Sequence, residues 1–237
     1  MEHDFRSTHW SAVFTAGQGV SSEARQALAS LCEIYWYPLY AYAVRRVATV
    51  DEAQDLTQAF FTELLEKNFV GSADPERGRF RAFLLTAFKH FMAKQWQKEK
   101  ALKRGGGRQP ISLHFPSADS TWQIDPSDGL TAEQAYDQQW VIALLGQTLD
   151  RLQRESEHAG RGEQFAALKG FIIGNHGETT YAQIAEDLNM SAAAVKKSAS
   201  RMRARYRQLL REEIAQTVSG TDEIEDEIRS LFRTLEG

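Results

Sequence analysis

The sequence predicts an all-α protein: two small helical domains joined by a flexible linker, the second containing a helix-turn-helix, followed by a C-terminal amphipathic helix. The 237 residues include only five prolines and are rich in Ala, Leu, Gln, Glu and Arg, which favour helices. No convincing run of alternating β-branched residues indicates a strand. The predicted division is a first domain at 1–104, a linker at 105–130, a second domain at 131–212 and an extension at 213–237.

The formal net charge of −4 hides an uneven distribution. Residues 76–108 hold ten basic and two acidic side chains, and residues 196–211 hold seven basic and no acidic ones, whereas the rest of the chain is acidic. Salt screens electrostatic interactions beyond roughly 8–10 Å, so local patches rather than net charge decide where a phosphate backbone docks. Two separate nucleic-acid contacts are therefore predicted.

In the first domain, the segment DEAQDLTQAFFTELL indicates an amphipathic helix. Asp51 is placed to cap it, and Asp55 and Gln58 lie about one turn apart on a polar side. Such a polar strip is either an interaction face or a solvated surface. The apolar stripe of the same helix comprises Ala53, Leu56, Phe60 and Leu64.

The first basic block, residues 77–108, interleaves cations with aromatic side chains. Basic groups attract phosphates and exposed rings stack unpaired bases, a combination suited to single-stranded nucleic acid. Helical spacing nevertheless predicts that most of these rings are core. The rings are Phe80, Phe83, Phe88, Phe91 and Trp96.

The predicted linker contains three glycines, Gly105–Gly107, together with prolines, serines and aspartates, which is the composition of a flexible connector. These glycines do not indicate a phosphate loop, because neither a strand nor a GK[ST] sequence accompanies them. Nothing in this segment supports a catalytic function.

Residues 180–211 join a helix-turn-helix pattern to a basic helix. Apolar residues follow helical spacing from Tyr181 to Leu188, and Asn189–Ser191 interrupts them before a second helical pattern begins. Ser191 is a natural N-cap for that second helix, since its hydroxyl can accept a hydrogen bond from a first-turn amide.

The seven cations from Lys196 to Arg211 cannot be neutralised within their own run, because it contains no acid. Beside phosphates such a helix releases counterions, and its first residues are placed to meet base edges in the major groove. The pattern therefore predicts a DNA-reading helix, with a solvated helix that binds an acidic partner as the alternative.

The segment DEIEDEIRSLFRTLEG indicates a last amphipathic helix, which Thr221 is placed to cap. We hypothesise that this acidic helix docks on the protein or on a partner and controls access to a basic DNA surface. Unchanged promoter affinity and unchanged salt dependence after truncation at Ser219 would exclude this, and a helix that only completes the core is the alternative. Its apolar residues are Ile224, Ile228, Leu231, Phe232 and Leu235, with the acids expected on the opposite side.

Several classes of chemistry are not supported. The single cysteine, Cys32, excludes an intramolecular disulfide and a thiolate metal cluster, and its surroundings predict a buried structural thiol. The six histidines show no metal-binding spacing, so neither a metal nor a cofactor is predicted. No signal segment or membrane-spanning run is present, so we expect a cytoplasmic protein without membrane contact.

Three segments resemble, in order, the two conserved domains of bacterial RNA polymerase sigma factors. They are DEAQDLTQAFFTELL, GRFRAFLLTAFKHFMAKQW and TYAQIAEDLNMSAAAVKK. The resemblance is greatest to the extracytoplasmic-function (ECF) group, which keeps only the domains that read the minus-10 and minus-35 promoter elements. It covers roughly residues 10–104 and 130–212, and it implies a factor that binds core RNA polymerase and directs promoter recognition, melting and initiation.

In the first domain the resemblance implies contacts to the polymerase and to melted DNA. The helix with Asp55, Leu56 and Gln58 matches the segment that grips the coiled-coil clamp of the largest polymerase subunit. His90 stands where many relatives carry Asn near the captured promoter base. The implied minus-10 contacts are Arg77, Arg79, Lys89, His90, Lys94 and Lys98.

In the second domain the resemblance places the recognition helix in the major groove of the minus-35 element. Ala192–Ala194 at its start offer close approach and methyl contacts, so much of the specificity is expected to depend on DNA shape. The implied minus-35 contacts are Ser191, Ala193, Lys196, Lys197, Arg201, Arg203 and Arg205.

The leading function is therefore a sigma factor without a reaction of its own. The alternative is a helix-turn-helix regulator that binds duplex DNA without acting as a polymerase subunit. An enzyme with a nucleic-acid module is a third class, for which no catalytic spacing is found. The predicted partners are core RNA polymerase, promoter DNA, and an anti-sigma factor or other regulatory protein.

Overall fold

In the part of the chain that it describes, the computed structural model shows eight helical elements of seven or more residues and no strand. The all-α prediction is confirmed. The described residues are 16, 22–67, 73, 79–102, 129–174, 177, 179–215, 218 and 224–236, and the predicted linker lies almost wholly outside them. The helices are α1 (Ser22–Val44), α2 (Val50–Lys67), α3 (Phe80–Leu102), α4 (Ala132–His158), α5 (Gly162–Ile173), α6 (Tyr181–Asp187), α7 (Ala192–Ala215) and α8 (Ile224–Glu236).

Helix α2 begins one residue earlier than its sequence suggests, and its cap differs from the prediction. The Thr49 hydroxyl accepts a hydrogen bond from the Glu52 amide at 3.2 Å, and the Glu52 carboxylate accepts one from the Ala48 amide at 3.2 Å. The prediction that Asp51 caps this helix is wrong, because Asp51 lies inside its first turn. There its negative charge favours the helix through the macrodipole.

Helices α1, α2 and α3 build a first core rich in aromatic side chains. Phe88 is fully buried and meets the ring of Phe60 edge-on, with the ring centroids 5.0 Å apart. Phe80 and Phe91 are also buried, whereas Phe83 is partly buried. The rings of the first basic block therefore belong mainly to the core, as their helical spacing predicts.

Cys32 lies in this first core and is buried. Burial, assisted by the nearby charge of Glu33, raises the pKa of the thiol to about 12. A thiol of this kind stays protonated and packs as a small apolar group, so the prediction of a structural cysteine is confirmed.

Helix α4 contributes side chains to two cores. Its N-terminal half places Tyr136 and Trp140 in the first core, where both are fully buried. Its C-terminal half places Leu149 and Leu152 in a second core. At 27 residues α4 is about 40 Å long, and the change from one core to the other lies within it.

The second core is completed by α5, α6 and α7. Gly160 follows α4 with a φ of 68°, and Gly174 ends α5 with a φ of 76°, values in the left-handed region that glycine adopts more readily than other residues. The first of these turns folds α5 back against α4, and the second ends α5 before the chain continues to α6. On α7, Val195 and Ala199 are completely buried in this core.

Helix α8 packs on α4 and α7. Its apolar face is only partly covered: Leu231 is 5 % exposed, whereas Phe232 and Leu235 are 49 % and 37 % exposed. Ile224 and Ile228 are partly buried against the first core. The predicted cap and chain break before this helix, at Thr221 and Ser219–Gly220, lie outside the described residues.

The acids of α8 do not all lie opposite its apolar face. Glu227 is completely buried, so the expectation that the acids face away from the core is wrong for this residue. Its position, between Ile224 and Leu231 on the apolar stripe, accounts for the burial.

No helix in the described part of the chain is both long and apolar enough to cross a membrane. Among the same residues, no group of three His, Cys, Asp or Glu side chains is arranged to hold a metal ion.

Candidate nucleic-acid interface

Helices α6 and α7 meet through a short turn whose geometry is fixed by local hydrogen bonds. Thr180 opens α6 with a reciprocal capping box to Gln183. Asn189 then takes a left-handed φ of 51°, and the Met190 amide donates to the Ala185 carbonyl at 2.8 Å. Left-handed backbone is common for asparagine and turns the chain sharply without a glycine.

Ser191 caps α7, as the sequence predicts. Its hydroxyl accepts a hydrogen bond from the Ala194 amide at 3.2 Å. Behind the cap, Val195 packs in the second core together with Ile184 and Ala185 of α6. The first turn of α7 is therefore held rigidly while its outer side faces solvent.

The outer side of α7 presents most of the predicted minus-35 residues. Ser191 and Ala193 are exposed at the leading end, followed by Lys196, Lys197 and Arg201, which are exposed as well. These three cations form no ion pair within the described ranges. Arg203 is half-buried on the same helix.

Arg205 differs from the other predicted minus-35 residues because carboxylates already bind it. Its guanidinium donates to both oxygens of Glu155, at 2.7 and 2.8 Å, and to Glu212 at 3.4 Å. Arg151 of α4 extends the network by donating to Glu212 at 2.7 Å and to Glu213 at 2.8 Å. Hydrogen bonding from Arg205 holds the pKa of Glu155 below its usual value.

The expectation that the basic run of α7 escapes neutralisation is therefore wrong for Arg205 and Arg211. Arg205 pairs with Glu212, which follows the run in the same helix, and Arg211 pairs with Glu225 of α8. Lys196, Lys197 and Arg201 keep their charges available. The electrostatic footprint for DNA is thus concentrated at the N-terminal half of α7.

The predicted minus-10 residues on and before α3 fall into two groups. His90 and Lys98 are exposed, and neither forms an ion pair among the described residues. Arg79, Lys89 and Lys94 each face a carboxylate from another helix. Arg77 lies outside the described residues.

The carboxylates that face α3 come from three helices. Glu227 of α8 lies 2.6 Å from Arg79, Glu133 of α4 lies 2.7 Å from Lys89, and Glu63 of α2 lies 3.5 Å from Lys94. Hydrogen bonding from Lys89 lowers the pKa of Glu133. A DNA phosphate that binds these cations would compete with the acids already beside them.

Arg81 and Glu227 form a close ion pair beside the predicted minus-10 contacts, although the sequence does not predict a role for either residue. Arg81 has only 12 % of its side chain exposed, lies 2.7 Å from Glu227, and stacks its guanidinium 4.4 Å from the ring centroid of Trp140. The Tyr136 hydroxyl donates to the Arg81 carbonyl at 2.9 Å. The available signal was an acid on the apolar stripe of α8, because an acid at such a position needs a cation partner.

On α2, the predicted polymerase contacts are not equally accessible. Asp55 is exposed, Gln58 is half-buried, and Leu56 is 8 % exposed within the first core. The polar strip therefore reaches solvent at Asp55, while Leu56 anchors the helix that carries it.

Comparison with known proteins gives one match. A family model described as ECF sigma factor matches residues 20–212. The matched range includes every predicted site residue and ends within α7, so α8 lies outside it. No curated protein and no solved structure matches the chain.

Proposed function

The chain belongs to the ECF sigma factor family, and on this premise we propose which of its surfaces perform which part of transcription initiation. ECF sigma factors are transcription initiation factors that direct promoter-specific initiation with RNA polymerase. Core RNA polymerase and promoter DNA are accordingly the partners of this protein. The proposal assigns three contacts: duplex DNA on α7, melted DNA on α3 and the polymerase on α2.

The contact to the minus-35 element is assigned to the leading half of α7. The observation that carries it is the set of exposed cations Lys196, Lys197 and Arg201, placed behind a capped and rigid first turn. Lys and Arg at this position bind phosphate and release counterions, while Ser191 and Ala193 approach the base edges. Arg203 flanks this contact on the phosphate side.

Arg205 takes a supporting role in this proposal. Its bidentate ion pair with Glu155 joins α7 to α4. A phosphate that binds Arg205 would compete with the carboxylates of Glu155 and Glu212. We therefore assign sequence-independent DNA affinity to the cations before it.

The contact to melted minus-10 DNA is assigned to the exposed side of α3. His90 and Lys98 are directly available, and Lys89 and Lys94 become available when phosphate replaces Glu133 and Glu63. This exchange requires little free energy, because exposed ion pairs contribute only about 0–1 kcal/mol to stability. Arg79 joins this surface, and Arg77 is assigned to it from the family resemblance alone.

The contact to core polymerase is assigned to α2. Asp55 presents an exposed negative charge and Gln58 a polar group about one turn further, on a helix anchored by buried Leu56. Electrostatic complementarity of this kind accelerates and orients association. The surface therefore suits a basic patch on the polymerase.

The assignment to α2 is tested by charge reversal. Asp55→Lys should abolish co-elution of the chain with core polymerase and promoter-dependent run-off transcription, because like charges would face each other. Asp150→Lys is the matched control, since Asp150 is an exposed acid of α4 away from α2. Equal loss in both variants would contradict the assignment.

The regulator alternative is tested with the same proteins. A chain that binds duplex DNA but forms no complex with core polymerase would act as a helix-turn-helix regulator. A stable complex that starts transcription from a promoter would exclude that alternative.

Other parts of the proposal rest on family resemblance and sequence alone. They are the division into a minus-10 domain, linker, minus-35 domain and extension, the absence of enzymatic activity, a cytoplasmic location, and an anti-sigma factor or other regulatory protein as a partner.

A further inference from the structure

We propose that α8 is an intramolecular gate, in which Glu227 and nucleic-acid phosphate compete for Arg79 and Arg81. The inference rests on the proposed function in one respect, the assignment of the start of α3 to DNA binding. It goes beyond that function because α8 lies outside the range that the family shares.

The gate centres on one buried carboxylate. Glu227 is 0 % exposed. One of its carboxylate oxygens lies 2.6 Å from Arg79, and the other lies 2.7 Å from Arg81. A buried carboxylate without a cation partner is strongly unfavourable. Glu227 therefore cannot lose both arginines while α8 remains docked.

The chemistry of this contact suits exchange with phosphate. The N···O distances are those of close ion pairs, but Glu227 lacks the alignment of hydrogen bonds to either arginine. Phosphate oxygens offer arginine charge-assisted hydrogen bonds that are well aligned. DNA phosphate can therefore offer Arg79 and Arg81 the aligned hydrogen bonds that Glu227 does not.

The accessibility of the two arginines differs in the docked state. Arg79 has 36 % of its side chain exposed, whereas Arg81 has 12 % exposed and lies against Trp140. DNA can meet Arg79 first, while α8 still covers Arg81. Full use of both arginines requires α8 to leave.

The rest of the α8 interface is weak enough to open. Of its apolar side chains only Leu231 is buried; Ile224 and Ile228 are partly buried, and Phe232 and Leu235 are 49 % and 37 % exposed. A helix of 13 residues is also marginal by itself in water. Loss of the Glu227 contact therefore removes a large share of what holds α8 in place.

Helix α8 also pairs with α7. Glu227 binds the arginines at the start of α3, and Glu225 of the same helix pairs with Arg211 of α7, beyond the leading half of α7 that carries the proposed minus-35 contact. An undocked α8 therefore increases the exposure of Arg79 and Arg81 and also releases the charge of Arg211.

The test compares the full chain with Glu227→Gln in binding a fluorescently labelled single-stranded 20-mer of mixed sequence, followed by anisotropy across a salt series. Glu227→Gln should bind more tightly, and its plot of log K against log salt should steepen by up to about 1.4, from two further phosphate contacts at about 0.7 each. Unchanged affinity and slope would overturn the gate.

The matched control is Asp226→Asn. Asp226 is the preceding residue, its side chain is 73 % exposed, and it pairs with Arg229 of its own helix. The variant removes the same charge without touching Arg79 or Arg81, so its affinity and slope should equal those of the wild type. An equal gain in both variants would show a general charge effect and would overturn the gate.

A second measurement decides the case if Glu227→Gln fails to fold. Hydrogen exchange of the wild-type chain is followed with and without saturating 20-mer. The amides of α8 should lose protection when the DNA binds, and unchanged protection would overturn the gate. Polymerase binding is measured separately, so its failure would contradict the proposed function without altering either DNA result.

Discussion

Glu155 of α4 binds Arg205 of α7 through both carboxylate oxygens, at 2.7 and 2.8 Å. The pair links two helices through residues that are 50 positions apart in the sequence. Since α7 also carries the proposed minus-35 contacts, this pair connects the stability of the second core with the position of the recognition helix.

Replacing Arg205 should affect stability more than DNA binding. Arg205→Ala should lower the free energy of unfolding by about 1 kcal/mol, a value discounted for the partial exposure of both partners. Thermal and urea denaturation measure this change. Arg207→Ala, an exposed cation of the same helix, should leave stability unchanged.

The corresponding DNA measurement uses Arg201→Ala as the reference. If Arg205→Ala reduces duplex affinity as much as Arg201→Ala and leaves the urea midpoint unchanged, Arg205 contacts phosphate and its ion pair is incidental.

The Glu155 pair also predicts a dependence of stability on pH. The pKa of Glu155 is lowered in the folded state. The contribution of the ion pair to the free energy of unfolding is therefore complete above the ordinary carboxyl pKa of about 4.3, and it is lost as the pH falls through the pKa of the folded state. The difference in unfolding free energy between wild type and Glu155→Gln should therefore be largest near neutral pH and shrink below about pH 4. A difference that grows on acidification would contradict this assignment.

The exposed cations of α7 should each contribute one phosphate contact. Removing Lys196, Lys197 or Arg201 singly should reduce the salt slope of duplex promoter binding by about 0.9. Lys169→Ala provides the control, because Lys169 is an exposed cation of α5 away from this face. A slope change at Lys169 as large as that at Lys196 would show that binding depends on total charge alone.

The contact between Tyr136 and the Arg81 carbonyl should stabilise the start of α3. Tyr136→Phe removes the hydroxyl that donates at 2.9 Å to a carbonyl of the first turn of α3, and we expect it to lower the free energy of unfolding by about 1 kcal/mol. Urea denaturation measures the change. Tyr181→Phe, which keeps a ring stacked on Phe171, should cost much less, and equal losses would assign the effect to general packing.

Local patterns predicted the turn between α6 and α7 well. Ser191 caps α7 by a hydrogen bond within four residues, and the apolar spacing before it places Ile184 and Ala185 in the core. Both signals lie in a short stretch of chain. They can therefore be found without knowledge of the tertiary structure.

The charge pairs could not be predicted in the same way. Glu227 and Arg79 are far apart in sequence, and a charge pattern does not reveal which cation an acid will meet. The same applies to the bidentate partner of Arg205, Glu155, which lies on another helix. The prediction that Asp51 caps α2 is wrong for a local reason, because Thr49, two residues earlier, supplies the capping oxygen.

Helix α4 has a consequence for how the chain acquires its structure. Helices α1 to α3 precede it in sequence, yet their core remains incomplete without Tyr136 and Trp140. During synthesis this core cannot close until the first half of α4 has left the ribosome. Because the other half of α4 contributes Leu149 and Leu152 to the second core, a denaturant that unfolds α4 should unfold both cores in a single cooperative transition.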